Sequence, residues 1–248
     1  MKLAVIGDIH SNLLALRSAV RDIKKKKVDF IICTGDNVGY SPFPNEVIKF
    51  LKSKNIISIQ GNYDKAIGNR EPVCGCDYKE ERLIELGAIS LEYTNKVITE
   101  SNREYLRNLP ENFKLKCGEY NILVVHGSPK KINQSLKEDS PLIEKVLEEI
   151  PENILIVGHT HIPFIKRVRN KYILNPGSIG KPATEDPNPT YLILNITKDS
   201  VEVSINKVSY DYERAAQAII ENNFLPDEFA YMINKKTDNK SYSMTNQA

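Results

Sequence analysis

The chain contains four histidines, His10, His126, His159 and His161, and each falls directly after a short apolar run. The flanking segments are Gly7-Asp8-Ile9-His10, Gly35-Asp36-Asn37, Gly61-Asn62-Tyr63-Asp64, His126-Gly127 and Gly158-His159-Thr160-His161. A lone histidine after a strand is ordinarily a packing or surface residue. Four of four at such positions, joined by Asp8, Asp36 and Asn62, are hard to assign to packing and point to a metal site. Imidazole combined with carboxylate and amide oxygen suits Mn, Fe, Zn, Co or Ni better than Ca or Mg. In extended backbone, Asp-x-His and His-x-His place both side chains on one side. Seven ligands exceed what one tetrahedral ion accepts. They fit two ions about 3.5–4 Å apart, bridged by a carboxylate and a hydroxide. Such a pair suits phosphate-ester hydrolysis, because it activates water, aligns it with the leaving group and neutralises phosphoryl oxygens.

The elements that must position these residues are legible as apolar runs. Leu3–Ile6, Phe30–Cys33, Ile56–Ile59, Ile122–Val125 and Ile154–Val157 read as strands buried on both faces. Helical spacing over Asn12–Lys27 and Asn45–Lys54 separates the first three, which predicts an α/β fold with a parallel sheet. The strand ends then share one edge, where α/β proteins bind ligands. Residues 65–118 read as a helical excursion walling the site, with helices over Tyr78–Ile98 and Asn102–Asn108. Phe164–Val168, Tyr172–Leu174, Tyr191–Ile196 and Val201–Ile205 read as a meander, followed by a helix over Tyr210–Asn222. The expected organisation is one domain over residues 1–234 and a disordered polar tail over 235–248.

Composition narrows the function. A net charge of +2 gives no electrostatic footprint for nucleic acid. The run Lys24–Lys27 ends the first helix, where positive charge is favourable without any such partner. No apolar stretch approaches a membrane span. Cys33, Cys74, Cys76 and Cys117 lack the C-x-x-C spacing of zinc and redox sites. They are expected to be reduced packing thiols in a cytoplasmic protein.

The ordered series Asp8-x-His10, Gly35-Asp36, Gly61-Asn62-x-Asp64, His126-Gly127 and Gly158-His159-Thr160-His161 resembles the calcineurin-like metallophosphoesterase family. The likeness runs from residue 8 to about 178, through Asn175-Pro176-Gly177-Ser178. It implies a four-layer α/β/β/α sandwich. It implies one divalent metal on Asp8, His10, Asp36 and His161, and a second on Asp36, Asn62, His126 and His159, with Asp36 bridging. Asp36, Asn62, Asp64 and His126 are the implied catalytic group. The family commonly has histidine after the asparagine; here that residue is Tyr63, although Asp64, which would orient the histidine, is kept. An unperturbed tyrosine is a weaker acid than imidazolium. The expected leaving groups are therefore those needing little protonation. The arginine that follows the second-strand aspartate in protein phosphatases is missing from Asp36-Asn37-Val38-Gly39-Tyr40. That stretch instead resembles small bacterial and archaeal members.

The expected function is hydrolysis of a phosphodiester or nucleotide-type phosphate by a metal-bridging hydroxide. The expected partner is a small phosphorylated substrate, with nucleotides among the candidates and no membrane. The alternatives are a nuclease, a phosphoprotein phosphatase and a non-catalytic scaffold. A scaffold predicts eroded ligand positions, and every expected ligand is present. Homo-oligomerisation is left open. Tyr63, Asn12, Tyr40 and Arg70, with Asn69 and Tyr93 behind them, are candidate substrate contacts; a surface or packing role is the simpler reading of each alone.

Overall fold

Within the first strand, β1 (Lys2–Ile6), Leu3 and Val5 alternate with Ala4 and Ile6, and all four are fully buried. A strand apolar on both faces needs a packed layer on each. The computed structural model, which describes residues 1–76 and 78–234, supplies both. β1 belongs to a five-stranded sheet with β2 (Phe30–Cys33), β3 (Ile57–Ser58), β9 (Thr190–Ile196) and β10 (Val201–Lys207), in the order β10-β9-β1-β2-β3. β1, β2 and β3 run parallel; β9 and β10 are antiparallel additions. The second five-stranded sheet holds β4 (Asn112–Cys117), β5 (Tyr120–Val125), β6 (Ile154–Ile156), β7 (Phe164–Val168) and β8 (Lys171–Asn175), in the order β4-β5-β6-β8-β7.

Leu3 and Val5 face the second sheet and pack with Ile122, Val124, Ile154, Ile156 and Leu174. Ala4 and Ile6 face helices α1 (Leu13–Lys25), α2 (Pro44–Ser53), α3 (Asn62–Asn69), α4 (Glu81–Val97), α5 (Glu100–Arg107), α7 (Tyr212–Ile220) and α8 (Asp227–Ile233). The outer face of the second sheet, Leu123, Val125, Leu155 and Ile173, is covered by α6 (Leu142–Glu149) through Ile143, Val146 and Leu147. The result is the α/β/β/α sandwich that the family resemblance implied. No helix of the described residues is long and apolar enough to cross a membrane.

Several expectations change. The five early strands do not share one sheet: β5 and β6 lie in the second, so the site is built from two sheet edges. The expected meander is two hairpins, β7–β8 in one sheet and β9–β10 in the other. The excursion ends before 118, because Asn112–Cys117 is an edge strand. Its Phe113, Leu115 and Cys117 are half-buried and alternate with exposed Asn112, Lys114 and Lys116, a period-two pattern hidden among charges. Helices α3, α6 and α8 were not anticipated. α3 starts on Asn62 itself, so its first turn was read as a strand end. Cys74 and Cys76, expected as reduced thiols, are paired as a disulfide, the loop turning through Gly75 at φ +68°. Cys33 and Cys117 are free, and burial pushes the Cys33 thiol up, well above its ordinary value. The tail expected over 235–248 lies outside the described residues.

Candidate metal centre

Asp8, His10, Asp36, His159 and His161 all adopt left-handed backbone, with φ between 45° and 66°. Residues other than glycine enter this region at a cost on the order of 1–3 kcal/mol each, and such strain clusters at functional sites. The expected convergence by strand alternation is therefore corrected. β1 ends at Ile6 and β6 at Ile156, and the ligands point together because the backbone turns left-handed beyond those ends.

Backbone bonds between loops over-determine these turns. The Asp8 N–H donates to Gly35 O, His10 N–H to Asp36 O and Gly158 N–H to His126 O, at 2.7–3.0 Å. Gly180 N–H donates to Asp8 O at 3.0 Å. Asn175 donates to Gly158 O, and the Ser178 hydroxyl to Asp8 O at 2.7 Å. The Asn175–Ser178 loop thus ties the edge of one sheet to that of the other. Gly61 is required by close approach: a Cβ there would lie 2.1 Å from Asp36 Oδ1.

All seven predicted ligands meet. His161 Nε2 is 3.1 Å from His10 Nε2 and 3.3 Å from Asp8 Oδ1. Asp36 Oδ2 lies 3.8 Å from His10 Nε2 and 3.5 Å from His126 Nε2, so it stands between the two halves. Asn62 Oδ1 is 2.9 Å from His126 Nε2 and 3.0 Å from His159 Nδ1. Donor atoms around one ion at ~2.0–2.2 Å sit about 3–3.5 Å apart. Most of these separations match that range, and the donor set of imidazole, carboxylate and amide suits divalent transition metals. Among the described residues, Asp8, His10 and His161 form one cluster whose donor atoms could hold a metal ion, and Asp8, Asp36 and His126 another.

Carbonyls fix the tautomers. His10 Nδ1 faces Val38 O, His126 Nδ1 faces Thr34 O and His161 Nδ1 faces Lys181 O, at 3.2, 2.8 and 2.7 Å. A carbonyl only accepts, so these Nδ1 atoms carry the proton and each Nε2 is left for an ion. Burial lowers the pKa of His10 to about 3, with the charge of His161 adding to it. Burial likewise lowers His159 to about 4, helped by His126. Burial opposes charge on His126 too, but the Asp36 carboxylate beside it prevails and raises it to about 9. Asp8 and Asp36 are held below the ordinary carboxylate range, because the surrounding histidines outweigh the effect of burial.

Other candidates are placed differently. Asp64 accepts from Asn37 N–H, Asn37 Nδ2 and Gly61 N–H at 2.9–3.0 Å, so it clamps two ligand loops beneath the centre. Its burial, and then the Asp36 charge, raise its pKa to about 7. The Tyr63 N–H holds Asp36 Oδ1 at 2.8 Å. Its ring edge packs His10, and its buried hydroxyl, near Gly87 of α4, has no hydrogen-bond partner among the described residues. Asn12 caps α1 and donates to Gly180 O and Tyr210 Oη, a structural use of the whole side chain. Arg70 pairs with Glu100 at the exposed C-terminal end of α3 and, like Asn69, is not among the residues lining the cleft. The Tyr93 hydroxyl bonds Pro42 O and Asn222. Tyr40 does line the cleft, with its hydroxyl 2.6 Å from that of Tyr78. The sequence reading missed Tyr78, Cys76, Lys137 and Lys181 around this opening. No local motif marks them; they reach the opening from the loops carrying Cys76 and Tyr78, the segment between β5 and α6, and the segment after Ser178.

The profile of the calcineurin-like phosphoesterase superfamily domain matches residues 1–199. Uncharacterized protein MJ0912 of Methanocaldococcus jannaschii is 32% identical over 241 residues, covering 89% of this chain and 92% of its own. Hypothetical protein PH1004 of Pyrococcus horikoshii superposes with a TM-score of 0.80 at 26% identity, covering 94% of this chain and 97% of its own. A metallophosphoesterase from Sphaerobacter thermophilus gives 0.76 at 25% identity, with 94% and 98% covered.

Proposed function

The chain belongs to the calcineurin-like phosphoesterase superfamily and is a metal-dependent phosphoric ester hydrolase; from that premise we propose that it holds two divalent transition-metal ions and hydrolyses a phosphodiester or nucleotide-type phosphate. The observation that carries the reading is Asp36 Oδ2 standing between His10 and His126, with a complete ligand set on either side. Asp8, His10 and His161 would hold one ion with Asp36; Asn62, His126 and His159 would hold the other with it. Such a pair lowers the pKa of water to about 7 and neutralises the phosphoryl oxygens. Mn, Fe, Zn, Co and Ni all suit the donors.

The protein's own groups do the positioning. The Tyr63 N–H holds the carboxylate of Asp36, and Asp64 locks the Asn37 and Gly61 loops. Burial pushes the Tyr63 phenol well above its ordinary value, which makes it a poor proton donor to a leaving group. This supports substrates whose leaving groups depart with little protonation, such as the phosphoanhydrides of nucleotides or nitrophenolate esters. A cleft of about 270 Å³ over the ligands is close to the lower end of small-molecule sites, ~300–1,000 Å³. Its size and the small net charge both favour a small substrate over nucleic acid.

The test combines metal analysis after reconstitution with a substrate screen. Two ions per chain, with faster turnover of bis(p-nitrophenyl) phosphate or a nucleoside diphosphate than of alkyl monoesters, supports the reading. At most one ion per chain, or activity confined to alkyl monoesters or nucleic acid, overturns it.

A further inference from the structure

Beside the metal ligands stands a cation that the centre does not use. Lys181 follows Gly180 on the loop after β8, and its backbone is fixed on both sides. Its N–H donates to Ser178 Oγ at 2.8 Å, and its carbonyl accepts from His161 Nδ1 at 2.7 Å. The half-buried side chain carries the ammonium over Tyr40, 4.4 Å from the ring centroid, and 5.9 Å from that of Tyr78. Both rings line the cleft, and the Tyr40 centroid is 5.0 Å from that of His10. Lys181 has no salt-bridge partner among the described residues; Lys137, which lines the cleft, has none either. Contact with aromatic faces steadies a cation without neutralising it.

Charge counting gives this cation a purpose. Two divalent ions bring four positive charges. Asp8 and Asp36 offset two of them, and the histidine ligands are neutral when bound to metal. The nucleophile and a singly charged scissile phosphoryl group offset the other two. Among the described residues the ammonium of Lys181 then has no ion-pair partner, and a partly desolvated cation beside an aromatic wall favours an anion strongly.

We propose that Lys181, held over Tyr40 and Tyr78, binds a second anionic group of the substrate, so that the enzyme selects molecules carrying a further phosphate beyond the one that is cut. This rests on the phosphoesterase reading of the same centre. The substrate class is a phosphoanhydride or multiply phosphorylated ester, such as a nucleoside polyphosphate, in preference to a simple diester.

Two probes that differ by one anionic group isolate the effect. Methylenediphosphonate and methylphosphonate are titrated into manganese-loaded protein by calorimetry, for the parent, Lys181→Gln and Lys181→Arg. The parent should bind the diphosphonate more tightly. Lys181→Gln should reduce the ratio of the two affinities about tenfold, and Lys181→Arg should restore most of it. In steady-state assays the ratio of kcat/KM for a nucleoside diphosphate to that for bis(p-nitrophenyl) phosphate should fall in parallel, through KM rather than kcat. A melting temperature unchanged from the parent excludes misfolding, and Lys181→Arg serves the same purpose. An affinity ratio that Lys181→Gln leaves as in the parent, whether or not both probes weaken, overturns the proposal. Failure of the parent to turn over any ester would instead overturn the phosphoesterase reading, since binding is measured without turnover.

Discussion

At the floor of the cleft, the ligands sit on loops that hold one another. Asp8 bonds back to Gly35, His10 to Asp36 and Gly180 to Asp8 through main-chain groups, and Asp64 clamps two loops from below. Asp8, His10, Asp36, Asn62 and His126 are all at most 3% exposed. At the wall, Tyr78 and Cys76 are half-buried and reach the cleft from a loop. Among the described residues the wall's ties are the bond between the Tyr40 and Tyr78 hydroxyls, Asn133 holding Gly75 O, and Asn62 Nδ2 holding Cys74 O and Cys76 Sγ. The floor stores strained backbone and needs many restraints to keep it. The wall carries such backbone at Tyr40, φ +60°, but the loop bearing Cys76 and Tyr78 is less restrained, which is where specificity is most easily set.

The comparison is broken first at Asp36. Asp36→Ala removes the carboxylate that stands between His10 and His126 and, on the two-ion reading, should abolish stoichiometric binding at both sites. Activity should fall by more than the ~10²–10³-fold typical of losing a single transition-state donor. Asn62→Ala should weaken chiefly one ion. Metal analysis of the two variants side by side distinguishes them; two ions retained in Asp36→Ala would refute the bridging arrangement.

A smaller loss is expected at Gly61, which contributes no ligand. The Cβ of Gly61→Ala would press on Asp36 Oδ1 and on the Asp36 backbone, 2.1 and 2.2 Å away. Displacing a reacting constellation by about 1 Å can cost ~10²-fold. The variant should fold, bind metal more weakly and lose roughly that factor in kcat. Parent-like kinetics would show that the floor is softer than its hydrogen bonds imply.

The same contrast explains what could be read in advance. The convergence of the seven candidate ligands was legible because chemically distinctive residues recur after apolar runs, and the helix over Leu13–Lys25 because its apolar spacing and Asn12 cap are local signals. The division into two sheets was not legible from the runs themselves, since β3 and β5 look alike until their partners are known. Asn12 shows how a polar residue near ligands misleads: its amide is consumed by a cap, a carbonyl and Tyr210. Lys181 shows the opposite failure. It lies in a stretch with no chemical signature, and only the loop after β8 carries its ammonium over Tyr40.

Where wall meets floor, the effect should shrink further. Cys74→Ser with Cys76→Ser removes the disulfide but leaves Cys74 O, which accepts from the Asn62 amide. A cross-link closing so short a loop stabilises by roughly 1–2 kcal/mol at most in the chain-entropy picture. The double variant should leave affinity at the Asp8, His10 and His161 site as in the parent and weaken the other about tenfold, the low end of the ~10–100-fold range for residues that orient ligands. Cobalt titration followed by absorbance separates the two sites. Equal weakening of both would mean that the wall supports the whole centre.

The smallest effect is expected at Tyr63, although it stands where the family often has histidine. Its main-chain N–H, which holds Asp36, is kept by any side chain other than proline. Its ring packs His10 and Tyr40, with centroids at 5.4 and 5.1 Å, and phenylalanine preserves both contacts. Its hydroxyl is buried without a hydrogen-bond partner among the described residues, and an unsatisfied buried polar group costs ~1–3 kcal/mol. Tyr63→Phe should therefore leave kcat/KM for nitrophenyl diesters within about twofold of the parent and leave the melting temperature equal or higher. Tyr63→His puts a better acid beside Asp36, and should gain specifically on alkyl phosphates, whose leaving groups need a proton. A large loss in Tyr63→Phe would place the phenol in the chemistry and move the boundary between floor and wall outward to include it. Identical behaviour of both variants on every ester would remove position 63 from substrate choice and leave it to the aromatic and lysine side chains above the floor.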